Sequence, residues 1–484
     1  MERRLMGEEL ELGLAGVSNA EIEIFAPRFV STTSMIDNPK LGFRDKSSDF
    51  AGRQIWWLTN GAKFYKDTGD HPEYATPECV KVKDFVAHDK ASEDILRKIW
   101  RLCSDAKRPG FAVVKNNVCY HNPDANGFSR GFSWGLHENY LTRAYIKLDR
   151  VAEELSPHFV TRIIYSGAGH IQPYNRNFHF VLSSRADFID CLCSNSATNH
   201  KPLILERPES HANNQKWNRI QVVCGEANML QLPIFLRFMT NHLCLRLIEE
   251  GWHLPAAFKL KNPINQLWRL NHDIYCRDDL RLLFGLSKKA VDIQRLYLFA
   301  AKKLNPISDE EREGLGLWEW TLDLLSQDLT RDANMQKLVG VLDWATKWYL
   351  IKKELEKNNC SLGHKKILAF NILYHSLDES PDKSLWARLV LKDKEKPFMF
   401  HVVRQDDIDR ALTEPPDSRA KLRSCLIKLA IASPQKLNVY NINWEDASVL
   451  VEGHKNIVRI DFGSDDPFKN SLDELEYLKQ ILSR

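Results

Sequence analysis

The pattern of apolar and polar positions changes along the chain, from strand-like alternation to helical spacing. Short apolar runs bounded by Gly, Asn and Pro predict strands in the first half, for example over residues 111–118 and 131–141. Residues 233–355 carry apolar positions at helical spacing, and a polar stretch then precedes a smaller C-terminal part. Strands followed by helices, without regular alternation, predict an α+β fold with a large domain over residues 1–397 and a small α/β domain over residues 398–484.

The segment RQIWWLTNGAKFYKD predicts a β-hairpin with Asn60-Gly61 at the turn. Side chains alternate along a strand, so Lys63, Tyr65 and Asp67 share one face. That face presents an amine, a phenol and a carboxylate. A merely solvated sheet face is one interpretation. The other is a metal or nucleotide site, because strands hold side chains rigidly.

The first strand, over residues 4–13, carries further acidic groups. Glu9 and Glu11 lie on one face, whereas Glu8 falls on the opposite, leucine-bearing face, which suggests a position at a sheet edge. Two carboxylates about 7 Å apart on one strand face repel each other unless a cation lies between them. Mg²⁺ favours carboxylate oxygens and commonly keeps phosphate or water ligands as well. The pair therefore indicates either a solvated face or a magnesium site.

Three more polar side chains stand out by their neighbours. His137 follows Gly131 and Gly135, and glycines in a strand can mark the close approach of a ligand. Arg207 and His211 crowd the segment ERPESHAN, which predicts a loop. An arginine there would suit a phosphate or a carboxylate. For each histidine the alternative is an ordinary core or surface position.

Composition excludes several classes of function. The chain has 484 residues, 43% hydrophobic and 27% charged, with a net charge of only +3, as in an ordinary globular protein. The balance predicts no nucleic-acid partner and no membrane surface. The most apolar stretch, residues 228–252, is interrupted by polar residues and predicts a buried or amphipathic helix rather than a membrane span. Ten scattered cysteines predict reduced thiols and a cytoplasmic location.

Common catalytic motifs are absent from the sequence. It contains no Walker A motif, no GxGxxG, no kinase signature, no GxSxG and no HExxH. Hydrolysis by a nucleophilic Ser or Cys therefore has no support. Residue types and spacing alone predict an acidic, sheet-based site that binds Mg²⁺.

Ordered motifs along nearly the whole chain resemble the Pup ligase and Pup deamidase/depupylase family, which is related to glutamine synthetase. RRLMGEELELG is similar to the family's G-x-E-x-E-[YF]-G, and NGAKFYKDTGDHPEYATPEC is similar to N-G-A-R-x-Y-x-D…H-P-E-Y…E-C. Further matches follow in order: KNN, HENYL, FVTRIIYSGAG, RPESHAN, GEANM, NPINQLWRLNHD, DIQRLY, LDW and PPDSRAKLR. The resemblance implies a catalytic domain built as a glutamine-synthetase-like antiparallel sheet cradle packed with helices.

The resemblance also implies a chemistry that uses ATP and Mg²⁺. The family phosphorylates the side-chain carboxylate of the C-terminal Glu of a small protein modifier, Pup. The amine of a target lysine then displaces the phosphate and forms an isopeptide bond. Asp67 stands at the catalytic position, as proton acceptor for the lysine. The positions implied for the metal are Glu9, Tyr65 and Glu73, then Glu11, His137 and His211. The positions implied for ATP are Lys63, Thr76, Trp444 and Arg207.

Spacing after Asp67 distinguishes the two branches of the family. Ligases have D-x-G-x-H-P-E-Y-A-T and deamidases a shorter D-x-x-H-P-E-Y-S. This chain has DTGDHPEYAT, which favours a ligase. The connection over residues 14–59 is intermediate in length, and its part over residues 31–52 predicts a loop or a partly disordered segment. A depupylase or deamidase and a non-catalytic modifier-binding relative are the alternatives.

The chain departs from the family pattern at three positions. Lys63 replaces an Arg, which keeps the charge but loses the fork geometry of a guanidinium group. Asn213 replaces an Asp, and Ser376 replaces an acidic residue. The last two departures concern groups that surround the magnesium ligands and part of the groove for the modifier.

Overall fold

The computed structural model has a mixed α+β fold, as predicted. It describes residues 3–16, 19–36, 41–45, 54–67, 69–103, 110–120, 131–174, 177–194, 200–207, 209–453, 456–469 and 471–482. Among the described helices, none combines the length and the apolar character that crossing a membrane requires.

Regular elements account for most of the described residues. The strands are β1 (Met6–Glu11), β2 (Gly13–Ala15), β3 (Gly42–Asp45), β4 (Ile55–Leu58), β5 (Lys63–Lys66), β6 (Pro72–Ala75), β7 (Ala112–Val114), β8 (Val118–Cys119), β9 (Phe132–Ser133), β10 (Leu136–Arg143), β11 (His170–Tyr174), β12 (Asn177–Val181), β13 (Cys191–Ser194), β14 (Pro202–Arg207), β15 (Trp217–Val222), β16 (Asp279–Arg281), β17 (Ser287–Lys289), β18 (Leu437–Ile442), β19 (Asp446–Val451) and β20 (Val458–Asp461). The α-helices are α1 (Asn19–Ser31), α2 (Val82–Leu102), α3 (Leu148–Thr161), α4 (Ile163–Ser166), α5 (Gln231–Glu249), α6 (Pro263–Asn271), α7 (Ala290–Ala301), α8 (Asp309–Leu325), α9 (Asp332–Gln336), α10 (Asp343–Asn358), α11 (Lys365–Leu373), α12 (Leu385–Glu395), α13 (Gln405–Ala411), α14 (Ala420–Ala432) and α15 (Asp473–Leu482).

One large sheet positions the candidate site. Within the described part of the chain its strand order is β13-β14-β15-β10-β1-β6-β5-β4-β3, and every pair is antiparallel except β13–β14. β1 therefore lies between β10 and β6. Glu9 is opposite His137 on one side and Ala75 on the other. The sheet thus brings together residues that are far apart in the sequence.

Four helices cover one face of this sheet, whereas the other face carries polar groups and contacts α14 at its β3–β4 end. α1, α2, α3 and α5 all contact its strands. Leu10, Phe64, Tyr74 and Tyr140 point to the helical side and are at most 2% exposed. α5 is buried along nearly its whole length, so the buried alternative for the most apolar stretch is confirmed. Burial of these apolar side chains is the main stabilising term of the domain.

The suggestion that Glu8 lies at a sheet edge is wrong. Glu8 is 3% exposed on a strand inside the sheet, and Arg237 of α5 lies 2.6 Å from its carboxylate. Its cross-strand neighbour Glu138 accepts hydrogen bonds from both terminal nitrogens of Arg162, at 2.9 and 2.7 Å. A buried charge needs a partner, and here the partners come from α5 and from the junction between α3 and α4. Local alternation cannot indicate such partners.

The connection between β2 and β4 contains more regular structure than predicted. α1 packs against β5 and β6, and the rings of Phe29 and Phe64 meet edge to face with centroids 5.4 Å apart. Thr32–Met35 form a 3₁₀ helix and β3 pairs with β4, so the prediction of a loop over residues 31–52 is wrong at both places. The parts of this prediction at residues 37–40 and 46–52 lie outside the described residues. Pairing with β4, rather than local propensity, decides the conformation of β3.

The predicted hairpin is confirmed. β4 and β5 pair in antiparallel register on either side of Asn60-Gly61, and Gly61 has a φ of 87°. A positive φ costs glycine little, which explains the residue type at the turn. The Asn60 side chain accepts from the Ala62 amide at 3.1 Å and donates to the Ala411 carbonyl at 3.0 Å. The turn is therefore tied to the C-terminal part of the chain.

The last part of the chain has its own apolar core. β18, β19 and β20 form an antiparallel sheet, and their apolar side chains cluster with those of α14 and α15. Trp57 of β4 joins this cluster, so the small unit is attached at the β3–β4 end of the large sheet. α13, in contrast, packs against α2. The division of the chain into domains at residues 397 and 398 stays a prediction.

A buried lysine gives the fold a testable pH dependence. Lys347 donates to the Gly169 carbonyl at 2.5 Å and lies 2.7 Å from His375 Nε2. Burial lowers the pKa of Lys347 to about 7, although the charges of Asp343 and Glu226 act in the opposite direction. Above pH 7 the Lys347 amine is therefore protonated more in the unfolded chain than in the folded chain. Its contribution to the free energy of unfolding rises with pH. Below pH 7 the cost of the buried charge is fully present.

Lys347→Met is expected to remove this pH dependence. The difference in unfolding free energy, variant minus wild type, should fall by about 2 kcal/mol between pH 7 and pH 9. Guanidinium unfolding at both pH values measures the difference. Parallel pH curves for the two proteins would contradict the assignment.

Candidate active site

The candidate site lies on the polar face of the large sheet. Glu9 on β1 is opposite His137 on β10, and Glu11 is opposite Glu73 on β6. Tyr65 on β5 is also opposite Glu73. Since side chains at matched antiparallel positions point to the same side, all five face the same space. The face predicted for Lys63, Tyr65 and Asp67 is thus continued across three more strands.

Acidic side chains converge at this point. Oxygen atoms of Glu11, Asp67 and Glu73 all lie within 4.8 Å of one another. Tyr65 Oη donates a hydrogen bond to Glu73 Oε1. Burial, together with the charges of Glu9, Asp67 and Glu11, raises the pKa of the Glu73 carboxyl well above its ordinary value. Such crowding of carboxylates is the electrostatic environment in which a divalent cation binds well.

Glu9 has the opposite electrostatic character. Burial alone would raise its pKa, but His137, 3.5 Å away, and Arg219, 3.7 Å away, outweigh burial and lower the pKa to about 2. Gln221 Nε2 also donates to Glu9 Oε2 at 2.9 Å. Glu9 is therefore ionised at neutral pH.

Tyr65 keeps its proton. Burial and the neighbouring charges of Glu73, Glu9 and Asp67 raise the pKa of the phenol well above its ordinary value. The ammonium group of Lys63 lies 4.1 Å from the centre of the Tyr65 ring and 5.6 Å from that of Trp57. Tyr65 thus offers a neutral oxygen within a cluster of carboxyl groups.

A tight turn holds Asp67 at the end of β5. The Asp67 amide donates to the His71 carbonyl at 3.0 Å, and the Asp70 amide donates to the Asp67 carbonyl at 3.2 Å. Gly69 and Asp70 have φ values of 94° and 64°, a backbone conformation that Gly, Asn and Asp tolerate best. The His71 ring stacks on Trp134 with centroids 4.9 Å apart. The spacing between Asp67 and His71 therefore fixes where the Asp67 carboxylate lies.

Two of the predicted ATP residues line a cleft beside the carboxylates. Thr76 Oγ1 accepts from the Glu8 amide at 3.0 Å, which fixes its side chain at the edge of the cleft. Trp444, from the turn between β18 and β19, approaches Trp57 edge to face with centroids 5.0 Å apart. The lining includes Gly7, Glu9, Thr76, Glu78, Asn139, Ser210, His211, Arg219, Arg419 and Trp444. The small C-terminal unit thus supplies one wall of the cleft.

An ion-pair network that was not predicted from the sequence holds this wall. Glu78 accepts from Arg419 Nε at 2.7 Å and also pairs with Arg423. Burial would raise the pKa of Glu78, but Arg423 and Arg419 outweigh it and lower the pKa to about 2. The guanidinium of Arg423 lies 4.7 Å from the centre of the Trp444 ring. The motifs PEC and PPDSRAKLR contain the signal, but only the fold reveals that they meet.

Arg207 and His211 lie beside the carboxylate cluster rather than within it. Arg207 Nε donates to Gln221 Oε1 at 3.0 Å. His211 has a φ of 53° and lies in the loop between β14 and β15. Burial and the charges of Arg219 and Arg419 lower the pKa of His211 to about 3, so its imidazole is neutral.

Cavity size does not identify the site. A larger cavity of about 1110 Å³ lies on the helical side, between the N-termini of α2 and α8 and the segment that includes α13. Its lining contains none of the predicted site residues. The convergence of titratable groups on the sheet indicates the position of the site better than cavity volume does.

Comparison with known proteins identifies the family. A family model described as Pup-ligase protein matches residues 6–448. A Pup--protein ligase of Acidimicrobium ferrooxidans is 32% identical over 420 residues, which cover 85% of this chain and 87% of that protein. A depupylase of Acidothermus cellulolyticus is 32% identical over 418 residues, which cover 83% and 76%.

Solved structures agree with this fold. The Pup ligase PafA in complex with Pup has a TM-score of 0.81 at 24% identity, and the match covers all of this chain and 93% of that one. PafA in complex with ADP has a TM-score of 0.74 at 26% identity, covering 89% and 90%. The chain belongs to the Pup-ligase protein family.

Proposed function

We propose that this protein is an ATP- and Mg²⁺-dependent ligase that joins Pup, or a Pup-like modifier, to lysines of target proteins in the cytoplasm. The observation that carries the proposal is the convergence of Glu11, Asp67 and Glu73 on one sheet face, beside the cleft lined by Thr76 and Trp444. The related PafA structures, one with Pup and one with ADP, support the same partner and nucleotide.

The residue types fit magnesium. Mg²⁺ prefers oxygen donors and usually keeps phosphate or water ligands. Glu9, Tyr65 and Glu73 would hold the ion, and Glu11 offers a further carboxylate. His137 and His211 are weaker candidates, because imidazole nitrogen suits Mg²⁺ less well than oxygen. When bound, the ion offsets the charge on a phosphoryl group in transfer.

The cleft beside the carboxylates fits a nucleotide. We assign Lys63 and Arg207 to charged groups of ATP, since both side chains carry positive charge next to the acidic cluster. Thr76 offers a hydroxyl whose position is fixed by its bond to the Glu8 amide. Trp444 offers an aromatic surface at the far wall. The cationic groups in the lining of the cleft itself are Arg219 and Arg419. Cationic and aromatic groups around one cleft suit the phosphates and the base of a nucleotide.

The proposed reaction has two steps. The side-chain carboxylate of the modifier's C-terminal Glu takes the γ-phosphoryl group of ATP, giving a γ-glutamyl phosphate and ADP. The lysine amine then forms a C–N bond at the carbonyl carbon, and phosphate leaves. Asp67 accepts the proton that the amine loses. The turn from Asp67 to His71 holds this carboxylate in place through backbone hydrogen bonds.

Gly135 provides room for the side chains of Glu11 and His137, so a substitution there is expected to disturb the site. A Cβ atom there would overlap Glu11 Oε1 and lie 2.9 Å from His137 Nε2. Gly135→Ala is therefore expected to displace both groups and to lower turnover about 100-fold, measured as conjugate formed per minute. Gly316→Ala is the matched control, because a Cβ at Gly316 meets nothing within 4 Å. Equal rates for the two variants would contradict this role.

Depupylation is the second candidate, because a depupylase is as similar in sequence as a ligase. The D-x-G-x-H spacing after Asp67 favours ligation. Incubation with ATP, Mg²⁺, Pup ending in Glu and a lysine-bearing target should give a slower-migrating conjugate on a denaturing gel. Release of Pup from a preformed conjugate, with no new conjugate, would instead support the hydrolase.

A further inference from the structure

A row of polar side chains crosses four neighbouring strands of the sheet and ends at Glu9. Arg207 on β14, Gln221 on β15, Asn139 on β10 and Glu9 on β1 all point to the polar face. Gln221 occupies the middle of this row and is completely buried. Its main chain lies within the pairings of β15 with both neighbours, so the side chain is not needed to satisfy the strand backbone.

The hydrogen bonds of Gln221 leave only one orientation for its amide. Arg207 Nε lies 3.0 Å from one end of the amide, and a guanidinium group can only donate. The end facing Arg207 must therefore be the oxygen, and the NH₂ group must face the other way. There it donates to Glu9 Oε2 at 2.9 Å and to Asn139 Oδ1 at 3.3 Å.

Asn139 is held in the same manner. Its Oδ1 faces two donors, Gln221 Nε2 and Arg219 Nη1, each at 3.3 Å. Arg219 also lies 3.7 Å from Glu9 Oε1. Every polar atom of the Gln221 amide thus has a partner of fixed polarity. One oxygen of Glu9 is committed to the amide.

We propose that Gln221 is a positioning residue, which orients the Glu9 carboxylate for a divalent cation and is itself locked by Arg207. The inference rests on the proposed function, since Glu9 is there a magnesium ligand. Groups that hydrogen-bond to a metal-binding side chain fix its direction, and their loss commonly weakens metal binding about 10- to 100-fold. Gln221 is such a group on the strand next to β10.

The test compares one substitution at two buried glutamines. Gln221→Met keeps the length of the side chain and removes its donor. Gln294→Met is the matched control, because Gln294 is also completely buried and makes hydrogen bonds of 2.8 to 3.1 Å with His158, Thr161 and Tyr165, remote from Glu9. Electron paramagnetic resonance of free Mn²⁺, in the presence of ADP, measures the affinity of each protein for the ion.

The expected result is Mn²⁺ binding weakened about 10- to 100-fold in Gln221→Met and unchanged in Gln294→Met. In Gln221→Met the Mg²⁺ concentration that gives half-maximal conjugation should also rise. The conjugation rate of this variant at saturating Mg²⁺ should return to that of the wild type. Should Gln221→Met fail to fold, Gln221→Asn keeps an amide but withdraws it from Glu9 by one carbon atom, and the same shift is expected.

Three outcomes would overturn the inference, and the third differs in meaning from the first two. Wild-type protein that binds Mn²⁺ with ADP, together with a Gln221 variant that binds it equally well, removes the positioning role alone. A Gln221 variant with a lower conjugation rate at every Mg²⁺ concentration and an unchanged Mn²⁺ affinity also removes the positioning role alone. Wild-type protein that binds no Mn²⁺ and makes no conjugate removes the proposed function as well.

Discussion

Replacing Asp67 by asparagine is expected to lower conjugate formation about 10²- to 10⁴-fold, the range that loss of a general base commonly produces. Asparagine keeps the shape of the side chain and cannot accept the proton of the lysine amine. ADP binding should stay within about twofold of wild type, because Asp67 is assigned to proton transfer and not to the nucleotide. Conjugate yield on a gel and calorimetric titration with ADP measure the two properties separately.

Asp70→Asn is the control for this prediction. It removes the same charge three residues further on, and asparagine tolerates the positive φ of 64° at that position. Its turnover should match wild type. Full turnover in Asp67→Asn would remove Asp67 from catalysis. Absence of turnover in the wild type would favour the non-catalytic modifier-binding alternative.

Replacing Glu138 by glutamine is expected to destabilise the fold by about 3–5 kcal/mol, the usual cost of breaking a buried ion pair on one side. Glu138 is completely buried and accepts from Arg162, Tyr140 and Asn241. An amide supplies a single acceptor oxygen, so Arg162 would keep a buried and poorly compensated charge. Guanidinium unfolding measures the loss.

Glu313→Gln is the control for Glu138→Gln. Glu313 pairs with Lys83 at 2.6 Å, but its side chain is 45% exposed. Exposed pairs contribute at most about 1 kcal/mol, so this variant should unfold close to wild type. Equal stability of the two variants would contradict the view that Glu138 organises the helical side of the sheet.

Local patterns were sufficient for the parts of the fold that depend on neighbouring residues. The Asn60-Gly61 turn and the shared face of Lys63 and Tyr65 follow from turn chemistry and the period of a strand. The structure agrees with both. The order of strands in the large sheet could not be predicted in this way, because β1 pairs with β6 and with β10, across very different lengths of chain.

In the candidate site, too, some residues could be predicted from local motifs and others could not. Motifs of the first strand and the hairpin already contain Glu9, Glu11, Tyr65 and Asp67. The partners that tune these groups come from elsewhere. Glu78 meets Arg423 across 345 residues, and Gln221 meets Glu9 across 212. Such contacts depend on the register of distant strands and on the attachment of the C-terminal unit, which no local pattern encodes.

The most direct test of ATP-dependent ligation is the number of ADP molecules released per isopeptide bond formed. Wild-type protein with Mg²⁺, ATP, Pup ending in Glu and a lysine-bearing target should release one ADP for each conjugate. It should release almost none when Pup is omitted, because the modifier's carboxylate is the phosphoryl acceptor. Release of Pup from a conjugate without matching ADP formation would contradict ligation and assign the protein to the hydrolytic branch.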